Sequence, residues 1–218
     1  MRLVFCMIAL TAALSANAAA KDYPVNEQPM YGNVVKNQAM LDADQQFVAA
    51  VLSKGYTRAQ GSDISVKRGW DYLRQKDYAT AMMRFNQAWL LDPDNGDAFH
   101  GFAVTVMDRD NDVAGADALF KTGEAKPRQS PGIWLDYGRF LLLQKRFPEG
   151  IVQLRKALTF PDMGPDAEAL LTGALYTSGD VENACREAAK VSDRAQAPYL
   201  KAVELVRQDC AKRSAATP

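Results

Sequence analysis

His100 is the only histidine in the chain. A metal site or an acid–base role would need His, Cys or carboxylate partners converging on it, and none stands at ligand spacing nearby. A lone His on a helix reads as a packing or surface residue. The densest acids are Asp108, Asp110 and Asp112. With Asp108 first, a calcium loop would need Gly at the sixth position and Glu at the twelfth, and both are lacking. These acids read instead as a polar turn between helices. There is no Gly-rich phosphate loop, G-x-S-x-G elbow or H-E-x-x-H pair. No catalytic residue, metal ligand or cofactor is assigned, and the expectation is a protein that is not an enzyme.

Composition narrows the partners. The 218 residues carry 26 basic and 26 acidic side chains, with no long block of either sign. Nucleic-acid binding needs clustered Lys and Arg against phosphate, so that class is set aside.

Residues 1–20 have the layout of a secretory signal peptide. Arg2 is a short positive start, Leu3 to Leu14 is an apolar run, and Ser-Ala-Asn-Ala-Ala-Ala offers cleavage after Ala18 or Ala20. A bilayer-spanning helix needs about 20 apolar residues, which neither this run nor any later segment supplies. Cys6 is read as part of the discarded peptide. The expectation is a periplasmic protein with no membrane span. Cys185 and Cys210 then remain as an even pair in an oxidising compartment.

The elements that position these residues read as helices throughout. Residues 21–37, punctuated by Pro24, Pro29 and Gly32, have no helical period and are expected as an extended arm. That arm either lies on the body or docks to a partner or to the protein's own groove. Residues 38–61 hold an N-terminal capping helix that stops near Gly55, then a linker in which Gly61-Ser62-Asp63 caps the next helix. From residue 62 to residue 193 the pattern repeats. Pro93, Pro127 and Pro161 are 34 residues apart; Gly69, Ala103, Gly138 and Thr172 recur at 34 or 35. So do Ala81, Ala116, Gly150 and Ala184, and, four residues further, Phe85, Phe120, Leu154 and Ala188. A small residue lets two helix backbones approach, and the large one a turn later fills the space beside it.

The order Gly69, Tyr72, Tyr78, Ala81, Phe85, Ala88, Pro93 resembles the tetratricopeptide-repeat pattern, as does Trp134 with Tyr137-Gly138 in the third unit. The resemblance covers about Ser62 to Val191. It is strong in the first unit and weaker in the second, which has an extra residue in its turn, and in the fourth. It implies an all-α, right-handed superhelical array of four antiparallel helix pairs, with a capping helix at each end. It also implies that the first helix of each pair lines a concave groove, here with Trp70, Arg74, His100, Val104, Arg139, Leu143 and Tyr176. The family's clamp for a peptide C-terminus, built on Lys and Asn, is not supported, since Trp70, Val104 and Arg139 stand at the asparagine level.

A last helix in residues 194–212 is expected to cap the stack, and 213–218 to be a disordered tail. If Val181–Ser192 and that helix form an antiparallel hairpin, Cys185 and Cys210 stand nearly level, as a disulfide requires. Two buried free thiols are the alternative. The functional expectation is a periplasmic scaffold that binds a protein or peptide in its groove, as an adaptor or assembly factor in the cell envelope. Affinity would come from apolar burial and orientation from Arg74 and Arg139. The competing expectation is a cell-wall-directed hydrolase or auxiliary enzyme built on the repeats. Self-association stays open.

Overall fold

The computed structural model describes residues 22–215. The expected signal peptide, Cys6 and the last residues of the tail lie outside them. Ten α-helices follow one another: α1 Gln38–Ser53, α2 Arg58–Arg74, α3 Tyr78–Leu91, α4 Gly96–Asp110, α5 Val113–Glu124, α6 Gly132–Leu143, α7 Phe147–Ala157, α8 Gly164–Thr177, α9 Val181–Ala188 and α10 Ala197–Ala215. There is no strand among the described residues, only an isolated bridge between Asn95 and Arg128. The helices pair as α2/α3, α4/α5, α6/α7 and α8/α9, and each pair packs on the next. The chain is thus an all-α solenoid of helical hairpins.

Small residues at the crossings make this packing possible. A Cβ on Gly69 of α2 or on Gly101 of α4 would strike the Phe85 ring, which is fully buried between those helices. Later in the stack a Cβ on Gly138 would come within 2.9 Å of Leu154. The large partners of the sequence alternation are therefore clamped by the small ones. One core runs through α2 to α7, around Phe85, Phe102, Phe120 and Tyr137, and a second joins α7 to α10, around Leu154, Leu175 and Val203.

Each hairpin turns through one left-handed residue: Lys76, Asn111, Lys145 and Gly179, with φ of 61°, 53°, 60° and 89°. In three of the turns a 6→1 hydrogen bond closes the helix end, as from Asp77 N–H to Tyr72 C=O (3.1 Å) and from Asp180 N–H to Leu175 C=O (2.9 Å). Asp77, Asp112 and Asp180 then cap the following helix by accepting a backbone N–H.

Several boundaries differ from those read in the sequence. Helix α2 starts at Arg58, where Thr57 and Gln60 form a capping box. Gly61 and Ser62 are not caps but buried helical positions; a Cβ on Gly61 would meet Val51 of α1 and Leu91. The extra residue of the second unit is taken up within α4 rather than in its turn. Asp108 and Asp110 are consequently helical, and only Asp112 belongs to the turn. At the C-terminus α10 continues to Ala215, through residues expected in a disordered tail. Arg213 pairs with Asp209 one turn back, and Ser214 Oγ donates to Cys210 C=O, which prolongs the helix.

The N-terminal arm is not extended. It forms two 3-10 turns, Val25–Glu27 and Pro29–Asn33, which pack on α3. Four consecutive residues, Met30 to Asn33, have positive φ. Asn86 of α3, fully buried, holds them. Its Oδ1 accepts from Tyr31 N–H (3.1 Å), and its Nδ2 donates to Asn26 C=O (2.9 Å) and Gln28 C=O (2.8 Å). The far end of α4 adds a second anchor, in which Arg109 stacks on Tyr23 and donates to Glu27 C=O.

At the other end a disulfide joins Cys185 of α9 to Cys210 of α10, with Cα atoms 5.8 Å apart. Arg207 of α10 also donates to Ala188 C=O and Val191 C=O, which closes the last hairpin.

Candidate binding cleft

The first helices of the first three hairpins, α2, α4 and α6, enclose a cleft of about 360 Å³. Its walls are apolar: Trp70 and Leu73 from α2, Val104 and Met107 from α4, Phe140 and Leu143 from α6, with Phe120 of α5 behind them. Four charged side chains complete the lining: Arg74, Asp108, Asp136 and Arg139. A shallower depression of about 470 Å³ adjoins it, sharing Trp70 and Arg74 and adding Asp63, Lys67, Asp97 and Ser130.

Five of the seven residues expected in the groove, Trp70, Arg74, Val104, Arg139 and Leu143, line this one cleft. Trp70 is half-buried. Its ring sits edge-on to His100 (centroids 4.7 Å apart) and to Phe85 (5.6 Å), so one side packs while the rest faces the cleft. Leu143 is 73% exposed, the most exposed apolar side chain of the lining.

His100 is not on the cleft surface. It is buried beneath it, with Nε2 2.9 Å from Asp136 Oδ2 of the neighbouring inner helix. Tyr176 is also outside; its hydroxyl donates to Asp209 of α10, so it serves the C-terminal cap. The sequence reading leaves Asp108 on a polar turn rather than in the groove, and it does not single out Asp136. Asp108 lies 34 residues after Arg74, so the repeat itself carried the signal. Asp136 has no counterpart in the repeat pattern and is placed by His100.

The charges are arranged unevenly. Asp136 is held between His100 and Arg139, whose Nη1 is 3.5 Å from Oδ1. Burial opposes its ionisation, but the hydrogen bond from His100 and the neighbouring His100 and Arg139 charges win, so its carboxyl lies below the usual range. Arg139 also donates to Tyr199 of α10 at 2.8 Å. Arg74 pairs with Asp71 on its own helix. Asp108 goes the other way: burial and the nearby Asp136 charge push its carboxyl up, against a smaller opposing effect of Lys76. Among the described residues no group of three or more His, Cys, Asp or Glu could hold a metal ion.

The solved structure of PilF from Pseudomonas aeruginosa is similar to this chain, with 20% identity and a TM-score of 0.63 over 72% of each chain. YrrB, described as a tetratricopeptide-repeat protein with an unusual peptide-binding site, is similar with 14% identity and a TM-score of 0.58, over 78% of this chain and 87% of that one. The fold is that of a tetratricopeptide-repeat protein. No family model and no curated protein sequence matches the chain. At these identities the likeness is one of architecture alone.

Proposed function

We propose that this protein is an exported, periplasmic helical-repeat scaffold, an adaptor or assembly factor of the cell envelope. It holds a stretch of another polypeptide in the cleft between α2, α4 and α6. The observation that carries this reading is the apolar lining on three successive inner helices, ending in the exposed Leu143. An apolar cleft with a few placed charges is what buries side chains of a bound segment. The adjoining depression gives that segment a path along the inner face. The peptide site named for YrrB is consistent with this use of the fold. Export is supported by the layout of residues 1–20 and by a disulfide suited to an oxidising compartment.

A photo-crosslinking amino acid placed at Leu143 in living cells tests the reading. It should give discrete polypeptide adducts, whereas the same probe at the exposed Val152 of α7 should not. Equal labelling at both positions, or none at Leu143, would remove the cleft as the binding site.

A second reading, a cell-wall-directed hydrolase, draws on Asp108 and Asp136, two carboxyls in one cleft whose pKa values are pushed apart as general acid catalysis uses. Against it, both oxygens of Asp136 are engaged by His100 and Arg139, and Asp108 is open to solvent. Release of soluble fragments from peptidoglycan by purified protein, abolished by Asp108→Asn, would establish it.

A further inference from the structure

We infer that the segment held in the cleft presents a basic side chain, Lys or Arg, flanked by apolar residues, and that Asp108 receives it. This rests on the reading of the cleft as a polypeptide-binding site and names the chemistry of its occupant.

The charged side chains of the cleft differ in how far each is already engaged. Four charged side chains line the cleft. Arg74 has Asp71 beside it, so a ligand carboxylate drawn to Arg74 would also meet that acid. Arg139 already has its two Nη atoms on Tyr199 and Asp136, so its charge is in part balanced within the protein. Asp136 in turn is engaged by His100. Asp108 alone of the four has no hydrogen bond or ion pair among the described residues. It stands on the last turn of α4, one residue after Met107, facing a lining that is otherwise mainly apolar.

Asp108 is exposed, but its surroundings disfavour its charge: apolar neighbours desolvate it in part and Asp136 repels it, with Lys76 offsetting less, and a cation brought to it relieves this. A carboxylate brought there would instead add to the repulsion between Asp108 and Asp136. Lys and Arg suit the geometry, because their aliphatic stems lie along apolar walls while the charged end reaches an acid. The charge preference is thus opposite in sign to the one that Arg74 and Arg139 suggest when read from the sequence. Lys67 is a basic group on the inner face, but it lies in the adjoining depression and not in the cleft.

The test is selection of a random twelve-residue peptide library, displayed on phage, against the full mature protein and two variants. Leu143→Arg obstructs the cleft mouth at an exposed position, and Asp108→Asn removes only the charge. Peptides enriched on the wild type and lost on Leu143→Arg should be rich in Lys or Arg next to apolar residues. Synthetic versions should lose about tenfold in affinity when the basic residue becomes Glu, and that preference should vanish on Asp108→Asn. Cleft-dependent peptides that are acidic, or basic peptides whose preference survives Asp108→Asn, overturn the inference and leave the cleft intact as a binding site. Peptides retained equally by Leu143→Arg, or no enrichment at all, overturn the polypeptide-binding reading itself. Circular dichroism of both variants guards against misfolding. Should Asp108→Asn fail to fold, loss of the Lys-over-Glu preference on the wild type in high salt reads the same charge, and its persistence there overturns the inference.

Discussion

His100 Nε2 lies 2.9 Å from Asp136 Oδ2, and this contact ties α4 to α6 directly beneath the cleft. Successive hairpins in such an array touch mainly through packed apolar faces, so a buried polar contact between inner helices also sets their angle. It fixes the Asp136 carboxylate on the lining as well, where it holds Arg139 and crowds Asp108.

Asp136→Asn should destabilise the array by about 1.5–3 kcal/mol at neutral pH, the range for a hydrogen bond to a charged group. The sign of the pH dependence follows from the depressed carboxyl. Its contribution is present above its ordinary value of 3.8 and is lost as pH falls through the lower folded value. Urea unfolding at pH 7, 5 and 3 should therefore show the gap between wild type and variant narrowing at the acid end. A gap that widens below pH 4 would contradict the assignment.

Asn86→Ala should free the N-terminal arm. The amide satisfies three backbone groups of residues 26–31, and Met30 to Asn33 sit in a left-handed conformation that non-glycine residues adopt at a cost. Hydrogen exchange should rise across residues 22–37 while the four hairpins keep their protection. Loss of overall stability should be about 1–3 kcal/mol. Uniform loss of protection would mean that the arm is integral to the stack.

Gly101→Ala should cost about 1–3 kcal/mol by overpacking, because the new methyl strikes the Phe85 ring held against Gly69. Phe85→Leu in the same background should recover part of that loss. A double-mutant cycle on thermal melts measures the coupling, and additive effects would place the strain elsewhere.

Removing the disulfide with Cys185→Ala and Cys210→Ala should lower stability by about 3 kcal/mol, as expected for a loop closed by residues 25 apart. The same variant should loosen α10, which supplies Tyr199 to Arg139 and Asp209 to Tyr176. Increased exchange confined to α9 and α10, seen also when wild type is reduced, is the expected signature.

The sequence by itself determined the architecture. A period of 34 or 35 residues in the small positions from Gly69 to Thr172, with a large residue a turn beyond Ala81, Ala116 and Gly150, admits little but stacked helical hairpins, because a single hairpin cannot bury its own apolar face. It also brought Cys185 and Cys210 level, since helix pitch and loop length suffice for that. Only the tertiary structure decided which inner-face residues face the cleft and which are used up inside. His100 and Val104 share a helical face one turn apart, yet one is buried against Asp136 while the other lines the cleft, because the neighbouring hairpin is placed by packing and not by period. The arm, too, has no period to read. Its course is set by three hydrogen bonds to Asn86, a residue 60 positions from Asn26 in the chain.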